Sequence, residues 1–285
     1  LCTTPAGLQR VVEAAAGRNI PFAIRAGGHS FEGFPQSDAL GIDVRPLNRI
    51  TVDPTARTMV AGAGVSLGEV YRAAAKAGLC FPAGSCPTVG LAGHIHGGGF
   101  GLLSRPLGLA SDSLLGVELV RAKSGVTNVS AATDPDLFWA LQGGGGGTFG
   151  AVASFRLRLH PVGPVHTFVQ SFTVARDAAI RILAAWQEWA PRTAREITCL
   201  LSLRAASQGR LSLRLAGQSV GNPQQLAFEL SKFASMAGQP ATATPRTGSF
   251  FEAVDRFSGG WNYESKFSKG KSDFVLEPLP AAALE

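Results

Sequence analysis

Gly84–Gly101 reads GSCPTVGLAGHIHGGGFG. Seven of its residues are glycine, two are histidine and one is cysteine, and none carries a carboxylate, amine or guanidinium. Glycine at this density lets backbone approach a ligand closely and lets successive N–H groups converge on one point. Alone, the stretch reads as a tight connection in an α/β protein. Two further stretches change that reading. Arg25–Phe31, RAGGHSF, repeats the pairing of glycines with a histidine. Asp134–Val152, DPDLFWALQGGGGGTFGAV, carries five consecutive glycines after an apolar run.

Around these stretches the chain alternates short elements. Pro5–Ala16 is an amphipathic helix with Leu8, Val11, Val12 and Ala15 on one face and Gly17 as its stop. Pro21–Ala26 is a short apolar strand that delivers the first glycine pair, and Leu40–Val44, Ile50–Val52 and Thr58–Ala61 alternate as strands. Ser66, with Glu69 three residues on, forms a capping box for a helix through Lys76, which Gly78 ends. Leu114–Arg121 and Val126–Val129 read as a hairpin across Lys123–Gly125. Asp134 and Pro135 open a helix to Gln142, and Ala151–Leu159 is a strand with Phe155, Leu157 and Leu159 on one face.

Pro161, Gly163 and Pro164 mark a boundary beyond which the glycine loops stop. After it come a strand (His166–Val174) and a helix (Asp177–Ala190) with Ile180, Leu183, Ala184 and Trp186 inward. An antiparallel pair (Ile197–Arg204, Arg210–Gly217) and two helices (Gln224–Met236, Ser249–Phe257) follow. The expected fold class is α+β, with domains at residues 1–161 and 162–280. The closing AAALE at residues 281–285 reads as a vector-derived tail.

The chain has 285 residues, 45% hydrophobic and 16% charged, enough for two domains. Its net charge is +6 with the positive charges scattered, which predicts a solvated surface rather than a nucleic-acid face. No apolar run reaches a membrane-spanning length of about 18 residues, so no membrane partner is expected. Cys2, Cys80, Cys86 and Cys199 fit no C-x-x-C pattern, which leaves disulfide pairing open. No leader is visible at Leu1 and the chain does not begin with Met, so the compartment stays open. His94 and His96 form an H-x-H pair, too few ligands without a third and a carboxylate, and no metal site is expected. Gly97–Gly101 follows a Gly/Pro-rich loop instead of opening a helix after a strand, which argues against a nicotinamide fingerprint.

In their order, the three stretches resemble the FAD-binding domain of berberine-bridge-enzyme-like oxidases, within the vanillyl-alcohol-oxidase superfamily and its PCMH-type FAD module. The family pattern is R-x-G-G-H-S, then G-x-C-P-T-V-G-x-x-G-H-x-x-G-G-G-x-G, then D-L-F-W-A-x-x-G-G-G-G-x-F-G. Nearly every fixed position is matched, over roughly residues 1–161. The resemblance implies a bicovalent FAD, joined through the ring of His29 to the C8 methyl (8α-histidyl) and through the sulfur of Cys86 to C6 (6-S-cysteinyl). It implies cofactor-binding roles for Arg25, Ala26, Gly27, Gly28 and Ser30 in the first stretch. In the second it implies them for Gly84, Ser85, Thr88, Val89, Gly90, Gly93, His94, Gly97, Gly98, Gly99 and Gly101, with His94 at the ribityl chain. In the third the residues are Gly150 and Val152. Val89 is also expected to be an oxygen gate, since in the family valine there goes with oxidases and the larger leucine tends to block O₂. His96 sits at a variable position and receives no role. Cys80, Phe138 and Trp139 read as core, and Asp112 as a loop cap.

The implied activity is oxidation of a C–OH group in a sugar or secondary metabolite, with hydride passing to flavin N5 and O₂ reduced to H₂O₂. The implied partners are a small-molecule substrate and O₂. Alternatives are a dehydrogenase that uses another acceptor, and a non-catalytic flavin-binding piece. Many carbohydrate-oxidising members place Tyr after GGHS, where this chain has Phe31. Family members also use a tyrosine base near the C-terminus. Here Tyr71 lies in a helix and Tyr263 does not match the base motif. KSDFV at Lys271–Val275 is a waypoint inside the family's substrate domain. The substrate domain is therefore expected to be partial, the base to lie outside this chain, and an open sheet edge to offer a route to a dimer.

Overall fold

A computed structural model describes residues 1–260, 270 and 272–284. Among these, the chain divides into two compact units, Leu1–Val162 with Val254–Gly270, and Gly163–Ala253 with Lys271–Glu285. The first unit thus recruits a segment from between the two segments of the second, where a linear reading places the two domains end to end.

In the first unit, Thr4 caps α1 (Pro5–Gly17) by accepting from the Gly7 N–H at 3.0 Å, with Pro5 in the first turn. Leu8, Val12 and Ala15 form its buried face. Gly17 lies inside the helix, and the left-handed residue after it is Asn19, at φ 55. Strands β1 (Phe22–Arg25) and β2 (Leu40–Asp43) pair in parallel. β3 (Ile50–Asp53) and β4 (Thr58–Gly62) are antiparallel. Helix α2 (Leu67–Lys76) has the full capping box: Ser66 accepts from Glu69 N–H, and the Glu69 carboxylate accepts from Ser66 N–H at 2.8 Å. Gly78 follows it at φ 69.

Next come β5 (Leu79–Cys80), α3 (Leu91–His96), α4 (Ser104–Leu107), β6 (Leu114–Arg121), β7 (Gly125–Val129), α5 (Pro135–Leu141), β8 (Ala151–Arg158) and β9 (His160–Pro161). The main sheet is antiparallel, in the order β3-β4-β8-β6-β7. Along β8, Phe155 and Leu157 are fully buried while Arg156 and Arg158 face water, the period-two alternation of a half-buried strand. α1 packs on β6, β7 and β8. Helix α5 turns Phe138 and Leu141 inward but leaves Trp139 78% exposed, against its expected place in the core. One residue on a helix is a rotation of about 100°, so a neighbour of a buried residue leaves the buried face.

The second unit is a four-stranded antiparallel sheet built from β10 (Val165–Val174), β11 (Ile197–Ala205), β12 (Leu211–Ser219) and β13 (Arg246–Gly248), in the order β11-β12-β10-β13. Helices α6 (Arg176–Trp189) and α7 (Pro223–Met236) cover one face, and α8 (Phe250–Phe257) follows β13. Phe168, Phe172, Leu213 and Leu215 of the sheet meet Ile182, Trp189, Leu226, Leu230 and Phe233 of the helices. The inward face of α6 is Ala179, Ile182, Ala185 and Trp189. The expected face through Ile180, Leu183, Ala184 and Trp186 is rotated from it, and Ala184 is exposed. Both faces of this helix carry apolar residues, and Trp189 decides between them. Its ring packs on Phe233 with centroids 5.0 Å apart, and its Nε1–H donates to Glu229 at 2.9 Å. β11 is a sheet edge with Leu200 and Leu203 about half exposed. The four cysteines are free thiols, with Cys2 and Cys80 buried.

Phe233 is fully buried and Phe228, five residues earlier on the same helix, is 67% exposed. Phe233→Ala is expected to lower stability by about 3–5 kcal/mol. Phe228→Ala is expected to change it by less than about 0.5 kcal/mol. Urea unfolding of both variants, followed by tryptophan fluorescence, checks the contrast.

Candidate functional site

The first two glycine stretches meet backbone to backbone. A Cβ placed on Gly27 would run into the Gly90 nitrogen and come within 2.6 Å of its Cα, and one on Gly90 would come within 2.7 Å of Gly27 Cα. Any side chain at either position separates the two loops. The second loop is held from below by α2. The Leu67 and Gly68 N–H groups, orphan donors of the first helical turn, donate to Val89 O at 2.9 Å and Pro87 O at 2.8 Å. Leu91 N–H donates to Val65 O at 2.9 Å. Fully buried Tyr71 on the same helix donates its hydroxyl to Gly84 O, and burial pushes its phenol pKa well up.

Within the central stretch, a short helix that glycine density concealed, α3, presents His94 and His96. The two rings serve different ends. His94 Nε2 accepts from Gly84 N–H at 3.0 Å, so the ring carries its proton on Nδ1. His96 is buried, its Nδ1 lies 3.1 Å from Leu141 O, and its ring tilts against Phe155 with centroids 5.4 Å apart. Its carbonyl accepts from Gly145 N–H at 2.9 Å, which ties the central stretch to the run of glycines after α5. Neither His96 nor Tyr71 carried a role in the sequence reading. The clue to Tyr71 was its place on the apolar face of a well-capped helix; His96 had none.

These loops enclose a cavity of about 860 Å³, lined from the first stretch by Ala26, Gly27, Gly28, His29, Ser30 and Phe31. The second contributes Cys86, Val89, Gly90, Gly93, His94, His96 and Gly97, and the third Gly145, Gly146, Gly147, Gly150 and Val152. Phe22, Ile24, Phe34 and Val44 complete an apolar wall that the motifs did not indicate. Arg25, Gly84, Ser85, Thr88, Gly98, Gly99 and Gly101 stand outside the lining. Several act from behind it. The Arg25 guanidinium lies over Gly28, where a Cβ would be 3.3 Å from Nε. A Cβ on Gly99 would press within 2.8 Å of the His94 ring, and one on Gly101 would strike the Ala83 carbonyl. Gly28, Gly98, Gly99, Gly145 and Gly147 all take positive φ, the conformation that turns successive N–H groups to one side. Asp112 accepts from Leu109 N–H at 2.8 Å and orders its loop. Among the described residues no three potential metal ligands cluster.

A family model described as "FAD binding domain" matches residues 1–130. The chain is 37% identical over 270 residues to an uncharacterized FAD-linked oxidoreductase, YgaK, of Bacillus subtilis, covering 93% of this chain and 59% of the relative. It is 33% identical to reticuline oxidase of Eschscholzia californica, covering 91% of this chain and 51% of the relative. Among solved structures, berberine bridge enzyme (an alanine variant) superposes with a TM-score of 0.87 at 30% identity, over 99% of this chain and 60% of that one. The grass pollen allergen Phl p 4, described as having glucose dehydrogenase activity, superposes with a TM-score of 0.86 at 29% identity, again over 99% and 60%.

The chain belongs to the berberine-bridge-enzyme-like FAD-linked family. It spans between half and three fifths of the length of these curated relatives. Its PCMH-type FAD-binding fold and the start of its antiparallel substrate domain are those of the family. FAD fits the first unit on the structure's own terms. The cavity has the volume of a cofactor site, its apolar walls suit a ring system, and the positive-φ glycines in its lining, Gly28, Gly145 and Gly147, suit a close-lying pyrophosphate.

Burial lowers the pKa of His29, His94, His96 and His160 from 6.5. The unfolded chain then takes up protons that the folded one refuses, so stability is complete above 6.5 and falls as pH drops below it. A melting-temperature series from pH 8 to 5 is expected to decline across that window, and His96→Gln is expected to flatten part of the decline. Gly27→Ala is expected to destabilise by about 1–3 kcal/mol through overpacking. Gly93→Ala, inside α3 with nothing within 4 Å of the new methyl, is expected to melt no lower than the parent. Differential scanning calorimetry of the pair checks this.

Proposed function

We propose that the chain is the flavin-holding part of an FAD-dependent oxidase that acts on a C–OH group of a sugar or secondary metabolite. The observation that carries this reading is that His29 and Cys86, from separate glycine stretches, line one cavity of a berberine-bridge-enzyme-like fold. When bound, FAD supplies the redox chemistry, accepting hydride at N5 and passing the electrons to O₂ to give H₂O₂. His29, kept neutral by burial, would hold the C8 methyl, and Cys86 would hold C6 through sulfur. Backbone N–H groups of the glycine turns would bind the pyrophosphate, and the Nδ1–H of His94 would serve the ribityl chain.

Tyr71 is not the substrate base: it is buried, donates to Gly84 O, and has its pKa raised. Tyr263 lies outside the described residues. Because Tyr263 also does not match the family's base motif, the reading assigns the base to a residue outside this chain. A dehydrogenase reading is kept because Phl p 4 is described with glucose dehydrogenase activity. Val89, on the cavity wall, is the residue that would separate the two readings. One added methylene is enough to fill a space the size of O₂.

The expected outcome for FAD-loaded protein is that colour stays with the denatured chain, and that intact mass rises by one FAD. His29→Ala should leave a sulfur link alone and Cys86→Ala a histidyl link alone. Complete release of flavin by acid would overturn the covalent reading. Photoreduced protein should reoxidise rapidly in air and markedly more slowly in Val89→Leu, as read by the return of flavin absorbance. Equal rates in the two would remove Val89 as the gate and leave the dehydrogenase reading beside the oxidase one.

A further inference from the structure

The two residues proposed to hold the flavin are joined by a third side chain behind the cavity wall. Thr88 Oγ1 lies 3.1 Å from His29 Nε2 and 3.4 Å from Cys86 Sγ. His29 and Cys86 line the cavity, and Thr88 does not. The contact with His29 spans 59 positions of sequence, so it exists only because Gly27 and Gly90 let their loops touch.

A threonine hydroxyl has one proton to donate and lone pairs to accept with. It cannot donate to the imidazole and to the sulfur at once. At most one of the two contacts is donated by the hydroxyl, so the position of its proton couples the two side chains. If Nε2–H donates to Oγ1, the hydroxyl proton is free to serve Cys86 Sγ, and the lone pair of the neutral ring resides on Nδ1. The reverse order would put the ring proton on Nδ1 and leave no lone pair there. Nε2 is the ring nitrogen that faces Thr88, behind the cavity wall, so Nδ1 is the nitrogen left for attachment. Donation from Nε2–H to the hydroxyl is the order that leaves a lone pair on Nδ1.

We propose that Thr88 is the positioning residue for cofactor attachment: its hydroxyl holds His29 in the Nε2–H tautomer, with the nucleophilic lone pair on Nδ1, and orients the sulfur of Cys86 in the same act. This rests on the covalent-flavin reading above. Each link would replace one C–H of the flavin and one N–H or S–H of the chain, the two electrons passing to the flavin and then, with both hydrogens, to O₂ as H₂O₂; Thr88 sets where the ring proton sits before either bond forms. Threonine suits the position because its χ1 is stiff, and a fixed hydroxyl can serve two fixed partners.

The test uses the flavin-free full chain labelled with ¹⁵N-histidine, whose five histidines give few signals. His29 is assigned by its loss in His29→Gln. At pH 8 the parent is expected to show His29 as a single Nε2–H tautomer. Thr88→Val, nearly the same shape without the hydroxyl, is expected to show averaged tautomer shifts, and Thr88→Ser to keep the parent pattern. Unchanged signals from His166, which pairs with Thr247 in the second unit, and His160 report that the variants are folded. A parent in the Nδ1–H tautomer, or a Thr88→Val spectrum identical to the parent at His29, overturns the proposal.

The second measurement adds FAD and follows covalent mass with time. Thr88→Val is expected to attach flavin at about a tenth of the parent rate, the equivalent of one hydrogen bond, and Thr88→Ser at nearly the parent rate. A parent that attaches no flavin counts against the covalent reading and leaves Thr88 to be decided by the tautomer spectrum. A parent and a Thr88→Val that attach flavin equally fast overturn the role of Thr88 alone.

Discussion

The site depends on one contact, Gly27 against Gly90. Backbone packs on backbone there with no room for a methyl on either side. The gain is positional. His29 lies two residues beyond the first glycine and Cys86 four before the second, so closing the contact delivers both to one wall and lets Thr88 reach across. Glycine loses more conformational freedom on folding than any other residue, and this arrangement uses many. The cost is offset by rigid anchors: the first turn of α2 spends its otherwise unsatisfied N–H groups on the carbonyls of Pro87 and Val89. A helix terminus that would need capping thereby becomes the floor of a binding loop.

The same burial that rigidifies the loops controls protonation. His29, His94 and His96 all have lowered pKa values with desolvation as the first cause. A neutral imidazole can be nucleophile, acceptor or donor according to its tautomer, and each tautomer here is set by a neighbour. Gly84 N–H sets that of His94, while His96 is oriented by the Leu141 carbonyl. The central stretch has no charged side chain, so polarity in this wall comes from backbone groups and neutral side chains.

The second unit rests on different physics. Its sheet carries a conventional apolar core against α6 and α7, in which Trp189 combines ring packing on Phe233 with a satisfied indole N–H. Its β11 edge is open. Open edges are places where a further strand or another chain pairs.

Much of the local structure was legible in the residues. The capping box of Ser66 and Glu69, the Asp134-Pro135 helix start, the hairpin of β6 and β7 and the alternation along β8 are short-range devices, decided by contacts within a few residues. The motifs in their order pointed to the family and its cofactor. Other features were hidden. The helical face of α6 and the exposure of Trp139 depend on which apolar side chain finds a partner distant in sequence. Helix α3 was masked by glycines that ordinarily break helices. The return of residues after Val254 to the first unit left no mark on composition. The sequence by itself determined most of the elements, the glycines that permit close approach and the candidate side chains for holding the cofactor. The tertiary structure alone decided that Thr88 stands between His29 and Cys86 and that Tyr71 and His96 brace the loops. A hydrogen bond spanning 59 residues is set by how two loops meet in space, and no local pattern encodes it.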